Sequence, residues 1–131
     1  MKVDFFDAAH EAFYTEKLEQ AKREGHRVDG YFSSLLYLCG LCHDTRAHFN
    51  RLFDWGEWCI CPEALSDGWQ TGATGKITRL AFNLWNGYGF MDPDDEHVSA
   101  SFLPDELFCC EFQAYFFEAI RLRYPEYAFK V

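Results

Sequence analysis

Long apolar runs are missing from this chain, and so are the residue patterns that announce chemistry. No segment approaches the roughly 20 consecutive apolar residues of a bilayer-crossing helix, which excludes a span of that kind. The opening Met1-Lys2-Val3-Asp4-Phe5-Phe6-Asp7 places acids where an export signal needs an unbroken apolar stretch, so no export and a soluble, cytoplasmic protein are expected. Bases are scarce as well: 12 Lys and Arg stand against 21 Asp and Glu, a formal charge of −9. Internal repeats, low-complexity tracts, domain linkers and strand-like alternation are absent, which sets aside repeat arrays and disordered tails. No group of residues shows catalytic spacing, so a non-enzymatic protein is expected.

What the chain does have is aromatic bulk. Twenty-five of its 131 residues are Phe, Trp or Tyr, and 49% are apolar. A chain of this size buries a core without disulfide or metal staples, and one domain over residues 1–131 is the economical reading. Without an export signal the six cysteines read as reduced thiols. Cys39 and Cys42 fall on the buried side of a helix, and Cys109-Cys110 lies among aromatics, where a thiol behaves as a small hydrophobe.

Periodicity predicts helices throughout: an all-α, compact single-domain bundle of about five to six helices with an aromatic-rich core. The first starts after Asp4 or Asp7 and turns Phe6, Ala9, Phe13, Leu18 and Ala21 inward, with His10 at the core margin and Gly25 as its stop. The second, from Asp29 to Cys42, is apolar nearly all round and should be the hub. Asp44 reads as the N-cap of a third helix to Phe53, leaving Arg46, His48 and Arg51 toward solvent. Residues 54–61 form a loop, Pro62 opens a short helix, and the glycine-bearing 67–75 stretch approaches a helix with Ile77, Leu80, Ala81, Leu84 and Trp85 on one stripe. Asn86-Gly87 ends that helix. Ser101 or a neighbour caps a short helix with Pro104 in its first turn, and a final helix runs from Phe108 to Tyr124, where Pro125 terminates it.

Several motifs resemble sites and fail on inspection. Cys39-x-x-Cys42, His43, His48 and Cys59-x-Cys61 offer zinc-type ligands within 23 residues, but the helical spacing of the first pair favours core thiols, so no metal and no cofactor are expected. His10-Glu11 lacks the second histidine of a zinc-protease helix, Tyr14 standing in its place. Thr71-Gly72-Ala73-Thr74-Gly75-Lys76 has Gln70 and Ile77 where a phosphate loop needs glycine and a hydroxyl, which leaves a plain helix entry. Asp92, Asp94 and Glu96 begin like a calcium loop, but His97 and Leu103 replace its glycine and glutamate. Cys42-His43-Asp44 are consecutive residues pointing different ways and make a poor triad.

Charge distribution is more telling than its sum. Residues 89–131 hold nine acids against three bases, a net −6 that repels nucleic acid and attracts a basic protein surface. Asp92, Asp94, Asp95, Glu96, Asp105, Glu106 and Glu111 are the candidate docking residues, joined by Phe82, which falls off the stripe of its helix. Trp55, Trp58 and Trp69 are expected to roof the core. The alternative is an accessory nucleic-acid-binding protein using Arg46, Arg51, Lys76 and Arg79 of the middle third.

Residues 5–11, the run from Pro62-Glu63-Ala64-Leu65 through Trp69-Gln70-Thr71 to 78–86, Glu106-Leu107-Phe108-Cys109-Cys110 and Arg121-Leu122-Arg123-Tyr124-Pro125-Glu126-Tyr127 together resemble an uncharacterised family. Its members are small helical proteins of Gram-positive gut bacteria, often carried on conjugative or phage-derived mobile elements. The resemblance covers most of the chain and brings no activity, so no functional residue carries over. The genomic setting is similar to that of anti-CRISPR proteins. It implies an inhibitor whose acidic third occupies the basic nucleic-acid groove of a CRISPR effector such as Cas9.

Overall fold

A computed structural model of the chain describes residues 2–89 and 101–128. Its first helix, α1 (Ala8–Arg23), begins where extended Asp7 turns its carboxylate back to accept the His10 amide at 2.8 Å. That choice of cap fixes where the helix begins, and packing against Tyr37 and Gly40 fixes which side turns inward. The buried stripe runs His10, Phe13, Ala21, so Phe6 precedes the helix and is exposed, Ala9 faces solvent, and His10 is fully buried instead of marginal. Leu18 is half-buried against the core.

Helix α2 (Gly30–Cys39), capped by Asp29, is the hub that periodicity predicts. Every residue from Ser34 to Cys39 is buried, because α1 and the later helices α5 (Gly72–Asn86) and α7 (Gln113–Arg123) close around it. Close approach explains the glycine that follows: a Cβ on Gly40 would lie 2.8 Å from Phe13 and 3.0 Å from His10.

The third helix divides into α3 (His43–Ala47) and α4 (Phe49–Leu52). The break falls at His48, and extended Cys42 takes the N-cap position expected of Asp44, which lies in the first turn. The chain then enters a two-residue antiparallel ladder, β1 (Phe53–Asp54) and β2 (Cys59–Ile60), with Phe53 opposite Ile60 and Asp54 opposite Cys59. This corrects the all-loop reading of 54–61. Phe53 and Ile60 are both buried, and a pair this short has too little alternation to show in sequence.

Pro62 opens a 3-10 turn (Pro62–Ser66). Helix α5 (Gly72–Asn86) begins five residues before the stripe that announces it, since Thr71 and Thr74 form a reciprocal capping box that holds Gly72 and Gly75 in helical conformation. Gly87, at φ +79°, closes it in the left-handed region. A single turn, α6 (Pro104–Leu107), has Leu103 in place of a serine cap. Helix α7 (Gln113–Arg123) starts later than predicted because residues 108–112 turn before it, and Pro125–Tyr127 is a 3-10 turn.

Aromatic rings fill one end of the core. Phe32, Phe53, Trp55, Trp58 and Trp85 meet at 4.5–6.5 Å, and His26 stacks flat on Trp58 at 3.8 Å. The tryptophans are half-buried, roofing the core as their positions suggest. No helix among the described residues is long and apolar enough to cross a membrane.

Candidate interaction surface

Of the expected docking residues, Asp105 and Glu106 on α6 and Glu111 in the following turn are exposed. Asp92, Asp94, Asp95 and Glu96, like the calcium-type pattern they begin, lie outside the described residues. Phe82 is a correction: it is fully buried, its ring 6.0 Å from Tyr88. Helix α5 buries Leu80, Ala81 and Phe82 in succession, so its apolar face is wider than one stripe and Phe82 cannot be a contact residue.

Each of the four middle-third cations has an acceptor on the protein. Arg46 donates to the Gly40 carbonyl (2.7 Å), and Lys76 to that of Cys109 (2.9 Å). Arg79 donates to Ser101 O (3.1 Å), and burial lowers its pKa while Glu106 opposes that fall. Arg51 is the exposed one, and it forks onto Asp67 at 3.0 and 2.8 Å, holding that carboxyl below its ordinary range. His48, expected toward solvent, is half-buried and stacks on Trp69 at 4.2 Å.

The thiols and imidazoles do not converge. Cys39 is fully buried, and desolvation raises its thiol pKa well above the ordinary range; Cys59 is exposed, and Cys42 contacts Thr45. His43 reaches Asp44 at 3.6 Å in open solvent. Among the described residues no three His, Cys, Asp or Glu side chains are grouped to hold a metal.

The surface that does form lies along α7. Ala114, Phe117, Arg121 and Tyr124 follow one another at spacings of three, four and three, so they share its outward side. Phe117 is 54% exposed with Phe108 stacked on it at 5.3 Å, and Tyr127 just beyond is 80% exposed. Ile120, Tyr124, Tyr127 and Ala128 with the Arg121 stem shape an apolar groove of about 360 Å³. A second cleft of about 400 Å³ opens on the other side of Arg121, between α7 and residues Asp4 and Phe5.

That cleft rests on a latch absent from the sequence-level expectations. Glu118 is buried on α7; its Oε2 accepts the Asp4 amide at 2.8 Å and its Oε1 accepts Arg121 at 2.6 Å. The Tyr37 hydroxyl donates to the Asp4 carbonyl. The Phe6 amide donates to His10 Nδ1 (3.0 Å), so the ring proton sits on Nε2, which donates to the Tyr37 carbonyl at 2.7 Å. Desolvation lowers the His10 pKa and keeps the ring neutral. Burial raises Tyr37, and Glu118 adds to the rise. One signal for Glu118 was available: it stands three residues after Tyr115 and adjoins Ala119, inside the apolar stripe of its helix.

No curated protein and no solved structure matches the chain. A family model described as a family of unknown function, DUF6075, matches residues 1–131, and the chain therefore belongs to that family.

Proposed function

We propose that this is a non-enzymatic interaction protein that lays an acidic, aromatic-bearing face on a basic protein surface, the nucleic-acid groove of a CRISPR effector being the partner class. The observation that carries the reading is the stripe on α7, large apolar side chains left open to solvent in the same third of the chain as the exposed carboxylates of Asp105, Glu106, Glu111 and Glu126. Among residues 101–128 there are five acids and two arginines. Both arginines are occupied, Arg121 by Glu118 and Arg123 between Tyr31 and Tyr124 at 3.6 and 4.4 Å. Carboxylates at the rim speed encounter with a basic surface, and buried aromatic anchors slow its departure. Direct nucleic-acid binding has less support, since each of the four cations proposed for it already has a protein acceptor.

The test is capture of the effector by tagged protein from cells that carry it, at low and high salt, with effector cleavage assayed alongside. Salt-sensitive capture with lost cleavage is expected, and the triple reversal Asp105→Lys, Glu106→Lys, Glu111→Lys abolishes both while leaving the circular dichroism spectrum unchanged. Capture indifferent to the reversal removes the reading.

A further inference from the structure

We infer that the cleft between α7 and the N-terminal segment is an anchor pocket for one cationic side chain of the partner, arginine in preference to lysine. This rests on the reading above that the partner is basic, and adds where and how its charge is held.

Three observations converge on the cleft. The first is charge. Asp4, Glu118 and Arg121 line it, and the Arg121–Glu118 pair at 2.6 Å cancels internally. The Asp4 carboxylate is left over: among the described residues its backbone amide and carbonyl are bonded, but its side chain has no hydrogen bond or ion pair. An anion would meet that free carboxylate, whereas a cation completes it.

The second is the walls. Phe5, Tyr115 and Phe117 contribute ring surface, and Phe117 is more than half exposed. An aromatic face beside an unpaired carboxylate suits a guanidinium, which stacks on the ring while its planar fork meets both carboxylate oxygens. An ammonium has no flat face to stack and makes a single-point contact.

The third is preorganisation. Asp4 is clamped from both sides, its amide to Glu118 Oε2 and its carbonyl by the Tyr37 hydroxyl, so the carboxylate is presented from fixed backbone. A fixed acceptor loses little entropy when it is engaged. The volume, about 400 Å³, is near the lower end of ligand pockets and suits one side chain and its water better than a large cofactor.

The probes are N-acetyl-arginine methylamide, its lysine counterpart and N-acetyl-glutamate methylamide, titrated into the full chain and followed by amide and aromatic NMR shifts. Arginine should give saturable shifts confined to Asp4, Phe5, Tyr115, Phe117 and Glu118, with a dissociation constant on the order of millimolar. Lysine should bind more weakly and glutamate not at all. Asp4→Asn, which leaves the backbone clamp intact, should weaken arginine about fivefold without changing the melting temperature. Phe117→Leu should weaken it while keeping apolar bulk.

Shifts that do not saturate, that spread equally to Asp105 and Glu106, or that titrate with undiminished affinity in Asp4→Asn overturn the pocket. If arginine fails here while capture still responds to the α6 reversals, the anchor is wrong and the docking reading stands. If arginine binds as expected while capture ignores those reversals, the pocket stands and the docking reading falls.

Discussion

Replacing Glu118 by alanine isolates the contribution of the latch. The substitution removes the acceptor of the Asp4 amide, a partly buried donor, and the partner of Arg121. The amide loses a charge-assisted bond worth about 1.5–2 kcal/mol. The Arg121 side chain is 39% exposed, so water recovers much of its solvation and the ion pair adds only about 0.5–1 kcal/mol. The total is about 2–3 kcal/mol, or roughly 6–12 °C in melting temperature for a domain between the small and large classes. Glu118→Gln keeps one neutral acceptor, enough for the Asp4 amide, but turns an NH2 toward Arg121, and should cost about 1–1.5 kcal/mol. Urea denaturation followed by fluorescence and circular dichroism gives both values, and adding Arg121→Met closes a double-mutant cycle with coupling near 1 kcal/mol. A loss below about 1 kcal/mol for alanine, or a glutamine variant as damaged as the alanine one, refutes a latch built on hydrogen-bond acceptance.

Two further substitutions follow from burial. His10 has a depressed pKa when folded, so the unfolded chain binds more protons as pH falls below the ordinary value of 6.5. Its contribution is therefore complete above about pH 6.5 and is lost as pH drops toward the folded-state value; urea midpoints measured from pH 7.5 to 5 should decline, and His10→Gln should flatten that decline. Phe82→Ala should cost about 3–5 kcal/mol, because it hollows the core beneath Tyr88, and a thermal melt barely changed would place Phe82 on the surface after all.

Helix type and hub were legible because they depend on repeated side chains: one run of apolar residues around α2 suffices to make it central. Phase was harder. Whether Phe6 lies in the helix turns on Asp7 over Asp4 as cap, and either acid satisfies the same local rule; His10 turns inward through its bond to the Tyr37 carbonyl, 27 residues away. Phe82 was misplaced for a related reason, since a stripe drawn through Ile77 and Leu84 assumes one covered face where Tyr88 supplies a second. The early start of α5 was hidden by its glycines, whose cost the Thr71–Thr74 box offsets. The docking surface was half visible: exposed acids follow from composition, but the cleft needs Asp4 beside Glu118, a pairing across 114 positions that no local pattern encodes.

That separation governs the order of assembly. The contact closes a loop of 114 residues, about 2 kcal/mol costlier in chain entropy than a loop of a dozen. During synthesis Glu118 is made long after Asp4, so it closes onto a segment that earlier residues already hold: Tyr37 bonds the Asp4 carbonyl, and Phe5 lies 5.2 Å from His10 and 5.9 Å from Tyr37. Phe6 differs, since its ring meets Phe112 and Tyr115, and until that later stretch is made it stays open to chaperones or to neighbouring chains.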